Sequence, residues 1–248
     1  MNNWLNPDNK FFSFMGKAFD TVVLNTVWLL FCLPLPMLTV VWAVESGIFA
    51  LLILTVLTIL PIVPATTALY YAIVKSVRRE RSYALKEFFR SFKRNFKQGS
   101  VFSLIALALV FVLYIDFRYA SELMKEGQSS GSTYFGVFLV IGLLFGAMFS
   151  YVCPVLSRFD MKVSGILKTS FVMAARHLLT TLALLILLAG VLLGCYVLLP
   201  GIFFLPAVAT LVASFLIESV FKKYMPAKEE PAEGEEENGQ EKDEWYLE

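Results

Sequence analysis

Charged residues are scarce in this sequence, and they are absent over long stretches. Only 17% of the 248 residues are Asp, Glu, Lys or Arg, whereas 58% are hydrophobic. Soluble domains carry about 25% charged and about 45–50% apolar residues, so the composition excludes an ordinary soluble domain. The single histidine and the three cysteines, which show no CxxC spacing, disfavour zinc and redox sites. We therefore predict no metal and no cofactor.

The sequence also lacks the short motifs that mark common active sites. It contains no HExxH, no GxSxG, no P-loop and no dinucleotide-binding fingerprint. An ion-driven pump usually needs a carboxylate deep in the membrane, and the apolar stretches contain none. His177, beside Arg176, is expected at headgroup level rather than in proton transfer. The prediction is a protein that is not an enzyme and has no catalytic residue.

Long uncharged stretches define the predicted fold. A bilayer core of about 30 Å needs about 20 helical residues, and the longest uncharged stretch, residues 178–217, has Pro200-Gly201 near its middle, as a tight hairpin would. No apolar core followed by a small-residue cleavage site occurs in residues 1–20, so no signal peptide is expected. The prediction is an all-α membrane protein with six transmembrane helices, at about residues 21–44, 46–74, 99–115, 134–157, 178–199 and 202–221.

Basic residues are distributed unevenly between the connections. Nineteen of the 21 Lys and Arg residues fall on one predicted side, and the alternate loops hold only Arg118 and Lys125. The positive-inside rule therefore predicts a multi-pass protein with both ends in the cytoplasm. Residues 226–248 carry ten acidic residues and two lysines, so residues 222–248 are interpreted as a disordered acidic tail.

Two cytoplasmic connections, residues 75–98 and 158–177, have the pattern of amphipathic interfacial helices, and residues 1–20 make a third such segment. In the first, apolar side chains recur at helical spacing between cations. The residues are Leu85, Phe88, Phe89, Phe92 and Phe96, with Arg90, Lys93, Arg94 and Lys97. Two interpretations remain open: anchoring to the anionic membrane surface, or docking of a cytosolic partner. At the helix ends, Arg158 is expected to snorkel and Glu218 to pair with Lys222.

Prolines and small residues mark two further candidates within the helices. Prolines free helix carbonyls, which suggests a substrate or partner contact, although plain helix packing is the alternative. These residues are Pro34, Pro36, Pro61, Pro64, Thr66 and Thr67. Glycines four residues apart allow close helix packing or dimerisation. They are Gly142 with Gly146, and Gly190 with Gly194.

Four segments resemble the YesL family. They are NKFFSFMGK at residues 9–17, PATTALYY at 64–71, FFRSFKRNFKQ at 88–98 and PVLSRF at 154–159. The chain departs from the family pattern in residues 39–60, which add about one apolar crossing.

The resemblance implies a location in the bacterial cytoplasmic membrane and an accessory role in oligosaccharide uptake or utilisation, without catalytic residues. Expected partners are then the lipid bilayer, subunits of a sugar import system and a second copy of the chain, and no nucleic acid. The alternative is a small stand-alone transporter or channel.

Overall fold

The computed structural model describes residues 10–32, 57–79 and 83–224, and all of the elements in these ranges are helical. Several predicted features lie outside these ranges. They are Pro34, Pro36, the later part of predicted helix 1, the first part of predicted helix 2 and the acidic residues 226–248. The helices are α1 (Lys10–Cys32), α2 (Ile62–Ala72), α3 (Ala84–Lys125), α4 (Ser130–Arg158), α5 (Val163–Arg176), α6 (Leu178–Val197) and α7 (Leu205–Phe221). A π-helical turn, Ile73–Arg78, continues α2, and a 3-10 turn, Leu199–Phe203, joins α6 to α7.

The predicted class, a helical membrane protein, is confirmed. Five segments of the described residues are long and apolar enough to cross a bilayer: Met15–Cys32, Leu57–Arg78, Ala84–Lys125, Ser130–Arg158 and Leu178–Val197. Their outer faces expose many large apolar side chains, as lipid contact requires and water disfavours. The sixth predicted crossing corresponds to α7, which is apolar but only 17 residues long. Six crossings therefore stay a prediction.

Helix α3 is one uninterrupted helix of 42 residues, about 63 Å at 1.5 Å per residue. The amphipathic residues 85–96 and the apolar residues 99–115 both belong to it, so the helix has no boundary between them. Neither proline nor a turn-forming pair separates the two parts of the sequence. The amphipathic part is thus held in line with the apolar part, which restricts how it can lie on a membrane surface.

Helix α2 is the central helix of the described bundle. In its apolar segment 72% of the residues are buried, against 11–22% in the other four candidate spans. Ala65, Ala68 and Ala72 are each fully buried, and such small side chains let neighbouring helices approach closely. The core on one side of α2 contains Leu24, Leu69 and Phe88. The core on the other side contains Tyr151, Val155, Ile166 and Phe221 together with Tyr70.

The proline break at the start of α2 is stabilised by α3. Because Pro64 has no N–H, the carbonyl of Leu60 loses its helical donor. The Ser103 hydroxyl donates to that carbonyl at 3.0 Å and accepts from the Val63 N–H at 3.2 Å. Gly99 permits the approach, since a Cβ at this position would lie 2.7 Å from Pro64 Cγ.

Ser103→Ala is expected to destabilise the protein by about 1–3 kcal/mol, because it leaves the buried Val63 N–H and the partly buried Leu60 carbonyl without this hydroxyl partner. Unfolding in detergent micelles with increasing denaturant would measure the change. Ser121→Ala is the matched control, since the Ser121 hydroxyl donates only within its own turn, to the Arg118 carbonyl at 2.8 Å. Equal stability of the two variants would contradict this account of the break.

The glycines predicted for helix packing lie in different surroundings. A Cβ at Gly142 would lie 3.7 Å from Leu113, one at Gly146 3.5 Å from Leu185, and one at Gly194 2.9 Å from Leu205. These three positions therefore face helices α3, α6 and α7 of the same chain. A Cβ at Gly190 would meet no atom of the described structure within 4 Å.

Candidate functional site at the basic end of the bundle

Among the described residues, the most deeply buried ion pair belongs to a charge cluster centred on Glu218 of α7. Its carboxylate pairs with Arg158 at the end of α4 and with Arg79, whose Nη2 lies 3.4 Å from Oε2. The Tyr70 hydroxyl of α2 donates to Oε1 at 3.3 Å. The side chains of Arg158 and Glu218 are each 2% exposed, and that of Arg79 is 18% exposed. One carboxylate thus joins the ends of three helical segments.

The expected roles of Arg158 and Glu218 were wrong. Arg158 was expected to extend into the headgroup region and Glu218 to pair with Lys222 on its own helix. The structure instead buries both side chains against each other, 60 positions apart in sequence. Arg158 lies at the C-terminal end of α4, where a cation is favoured by the helix dipole. The interhelical pair forms because the ends of α4 and α7 meet, which hydropathy does not reveal.

A second buried ion pair joins the π-helical turn to α3. Lys75 Nζ lies 3.4 Å from Glu87 Oε2, and the two side chains are 5% and 3% exposed. Buried charges of this kind need a close partner, since desolvation is costly. π-helical turns are rare and occur often at functional sites. This turn holds Lys75 and Arg78 in the segment that faces α3 and α7.

Arginine side chains also donate to backbone carbonyls of neighbouring helices at this end of the bundle. Arg94 of α3 donates to the Ser157 carbonyl at 3.0 Å, near the end of α4. Arg78 donates to the Ser214 carbonyl of α7 at 3.1 Å, and its guanidinium lies 4.3 Å from the centre of the Phe215 ring. The last carbonyls of a helix lack helical donors, so Arg94 satisfies part of the end of α4. Together these contacts hold α2, α3, α4 and α7 in a fixed arrangement.

The predicted aromatic series of residues 85–96 divides between two environments. Phe88 is fully buried in the protein, and Phe92 is half-buried. The Phe31 ring of α1 lies 6.1 Å from the Phe88 ring and 4.6 Å from the Phe92 ring, centre to centre. Leu85, Phe89 and Phe96 are exposed, at 42%, 50% and 39%.

We name the exposed side of this part of α3 the basic aromatic surface. Its residues share one side of the helix by the 3.6-residue period. They are Leu85, Lys86, Phe89, Arg90, Lys93, Phe96 and Lys97. Arg94, predicted for the same surface, lies beside it and donates to α4. The buried side of the helix carries three polar residues, Glu87, Ser91 and Asn95. The periodicity of the aromatic residues does not predict that these polar residues are buried.

The described part of the proline-rich candidate makes contacts within the chain. The Thr66 hydroxyl accepts from the Trp28 indole N–H at 3.1 Å and donates to the Ile62 carbonyl at 2.8 Å. Thr67 is fully buried. Pro61 precedes α2 and Pro64 lies in its first turn, against Gly99. The described residues of this candidate are therefore explained by helix packing. Their contact with a substrate stays a prediction.

His177 lies at the same basic end, between α5 and α6. Its Nε2 is 3.1 Å from the Tyr224 hydroxyl, and the two rings meet edge to face at 5.7 Å. Loss of solvation, then the charges of Lys223 and Arg176, lower the pKa of His177 below its ordinary value. The neutral imidazole is therefore favoured. Its contact with Tyr224 positions the residue that precedes the acidic segment by two positions.

Comparison with known proteins gives a family without a described activity. Residues 21–117 match the family "Protein of unknown function, DUF624". The chain is 29% identical over 137 residues to the "Uncharacterized protein YesL" of Bacillus subtilis (strain 168). The predicted resemblance to the YesL family is confirmed. This alignment covers 55% of the chain and 62% of the relative. No solved structure matches the chain.

The family match covers only part of the candidate site. Residues 21–117 contain the proline break, Ser103, the Lys75–Glu87 pair and the whole basic aromatic surface. Arg158 and Glu218 lie beyond them. The matched region therefore includes Tyr70 and Arg79 on one side of the buried cluster, whereas the other side comes from α4 and α7.

Proposed function

We propose that this YesL-like chain is a non-enzymatic accessory protein of the bacterial cytoplasmic membrane, acting beside an oligosaccharide uptake or utilisation system. The observation that carries the proposal is the division of charge at the basic end. The buried carboxylates, Glu218 and Glu87, are paired with cations of other segments, so they stabilise the packing of those segments. The exposed basic aromatic surface carries cations that alternate with apolar side chains. The carbohydrate setting comes from the family resemblance.

The proposal includes a six-helix topology with both chain ends in the cytoplasm. The two basic connections and the C-terminal side of α7 meet in space: Arg94 contacts Ser157, Arg158 pairs with Glu218, and His177 contacts Tyr224. Connections that contact one another in this way lie on the same side of a membrane. Their excess of Lys and Arg supports the cytoplasmic side. In this topology α7 is the sixth crossing, and the basic aromatic surface lies at the cytoplasmic interface.

The basic aromatic surface is proposed to bind the anionic membrane surface and a partner subunit. Lysines near an anionic leaflet contribute about 1 kcal/mol each to membrane attraction. Leu85, Phe89 and Phe96 add apolar area between the cations. The surface is accessible to a partner because it is the exposed side of the amphipathic part of α3.

Purification from the native membrane in a gentle detergent, followed by mass spectrometry, tests the accessory function. Recovery of sugar-import subunits in constant ratio to the chain is the expected result. The variant Lys86→Gln/Lys93→Gln/Lys97→Gln is expected to lose most of these subunits, because it removes three exposed charges. Arg118→Gln/Lys125→Gln is the matched control, since these cations lie at the other end of α3. A chain that is recovered alone would contradict the proposal.

A small stand-alone transporter or channel is the second candidate. The observation in its favour is the backbone of Leu57–Arg78, a candidate span that combines a proline break with a π-helical turn. Discontinuous helices form substrate and ion sites in many transporters. Sugar flux into liposomes that contain only this chain would support this candidate over the accessory function, and its absence would count against the transporter.

A further inference from the structure

Two charged features at one end of the molecule complement each other. The basic aromatic surface exposes four cations, Lys86, Arg90, Lys93 and Lys97, on one side of α3. Residues 226–248, which begin two positions after Tyr224, carry ten acidic residues and two lysines, a formal charge of −8. They end in Trp245-Tyr246-Leu247-Glu248, which supplies apolar side chains suited to Phe89 and Phe96.

The acidic segment starts at the same end of the bundle as the basic aromatic surface. Tyr224 is held by His177 at 3.1 Å. Six residues earlier, Glu218 pairs with Arg158, and the adjacent Ser157 carbonyl accepts from Arg94 on α3. A series of direct contacts thus connects the last described residue with the helix that carries the basic aromatic surface.

The length of the acidic segment is sufficient for it to reach and follow that surface. Twenty-three residues can span up to about 75 Å when extended. Residues 85–97 of α3 extend over only about 18 Å at 1.5 Å per residue. An attached segment also competes at an effective concentration of about 1 mM or more when its linker is short and flexible. It therefore has an advantage over a free anionic ligand of similar charge.

We propose that residues 226–248 bind the basic aromatic surface of the same chain and thereby compete with anionic lipid and partner. The contact is electrostatic along Lys86, Lys93 and Lys97, with the apolar residues 245–247 against Phe89 and Phe96. This contact controls access to the basic aromatic surface. The inference therefore rests on the proposed function, in which that surface binds anionic groups. Anionic lipid or an acidic partner segment that displaces residues 226–248 would then free the chain to engage its partner.

A labelled peptide with the sequence of residues 226–248 tests this inference with the full chain in nanodiscs of neutral phosphatidylcholine. The attached segment should block the peptide in the unmodified chain. A full-length variant with the ten acidic residues of 226–248 changed to Gln or Asn should bind it at least about tenfold more tightly. Raising NaCl from about 0.05 M to about 0.5 M should weaken this binding, since salt screens exposed charges.

The location of binding is tested in the same assay. Adding Lys86→Gln/Lys93→Gln/Lys97→Gln to the neutralised variant should abolish peptide binding, whereas adding Arg118→Gln/Lys125→Gln should not. Equal peptide binding by the unmodified and neutralised chains would overturn the inference. So would retention of binding after the three lysines are changed. In a separate measurement with vesicles of anionic phosphatidylserine, lysine-dependent binding of lipid by a neutralised variant that binds no peptide would assign the surface to lipid alone and overturn the inference.

The two proposals can fail separately. Recovery of sugar-import subunits does not depend on the peptide assay, so a negative peptide result leaves the accessory function in place. Conversely, peptide competition without any recovered subunit would support the intramolecular contact and contradict the accessory function.

Discussion

Glu218→Gln is expected to lower the free energy of unfolding by about 3–5 kcal/mol, the range for breaking a buried ion pair by removing one partner. The substitution preserves the shape of the side chain and removes its charge. Arg158, 2% exposed, and Arg79, 18% exposed, then lose the carboxylate that both contact. Reversible unfolding in mixed micelles, followed by circular dichroism, would measure the change, and a lower yield of folded protein should accompany it.

Glu122→Gln is the matched control. Glu122 also contacts two cations, Arg118 at 3.8 Å and Lys125 at 3.0 Å, but its side chain is 51% exposed. Exposed ion pairs contribute at most about 1 kcal/mol, so this variant should be nearly as stable as the unmodified protein. Similar losses in the two variants would mean that Glu218 does not hold the helix ends together.

Phe88→Ala is expected to destabilise the protein by about 3–5 kcal/mol, the usual range for a large-to-small change at a buried aromatic residue. Phe88 is fully buried and contacts the rings of Phe31, Phe89 and Phe92 at 5.6–6.4 Å. The change leaves a cavity between α1, α2 and α3. Unfolding in mixed micelles would again give the difference in free energy.

Phe89→Ala provides the comparison on the neighbouring residue. Phe89 is 50% exposed, so its loss should cost less than about 1.5 kcal/mol, mostly through its contacts with other rings. The same variant should weaken binding of anionic lipid, which Phe88→Ala affects only through unfolding. If Phe89→Ala proved the more destabilising of the two, the orientation of α3 described above would be wrong.

The class of the protein and most of its helices could be predicted because they depend on local properties. Uncharged runs such as residues 134–157 cannot be stable in water as exposed helices, and a bilayer needs about 20 such residues for each crossing. The distribution of Lys and Arg similarly indicates which connections share a side. Even the hairpin between α6 and α7 follows from Pro200-Gly201, because proline and glycine interrupt helices.

The candidate site could be predicted only in part. The pattern of residues 85–97 identifies an amphipathic helix, but periodicity cannot tell whether an apolar side chain meets lipid or another helix. Phe88 and Phe89 are adjacent and chemically identical, yet one is fully buried and the other is half exposed. The difference arises because α1 and α2 pack against one side of α3, where Phe88 joins a core that contains Leu24 and Leu69.

The sequence by itself determined that this is a helical membrane protein with a basic end, since the cost of exposing apolar residues to water depends on composition alone. Only the tertiary structure decided that Glu218 pairs with Arg158 and Arg79, and that Ser103 binds the carbonyl freed by Pro64. Those partners are 60, 139 and 43 positions apart. Their meeting depends on how the helices cross, and helix crossing depends on side-chain shape across whole interfaces.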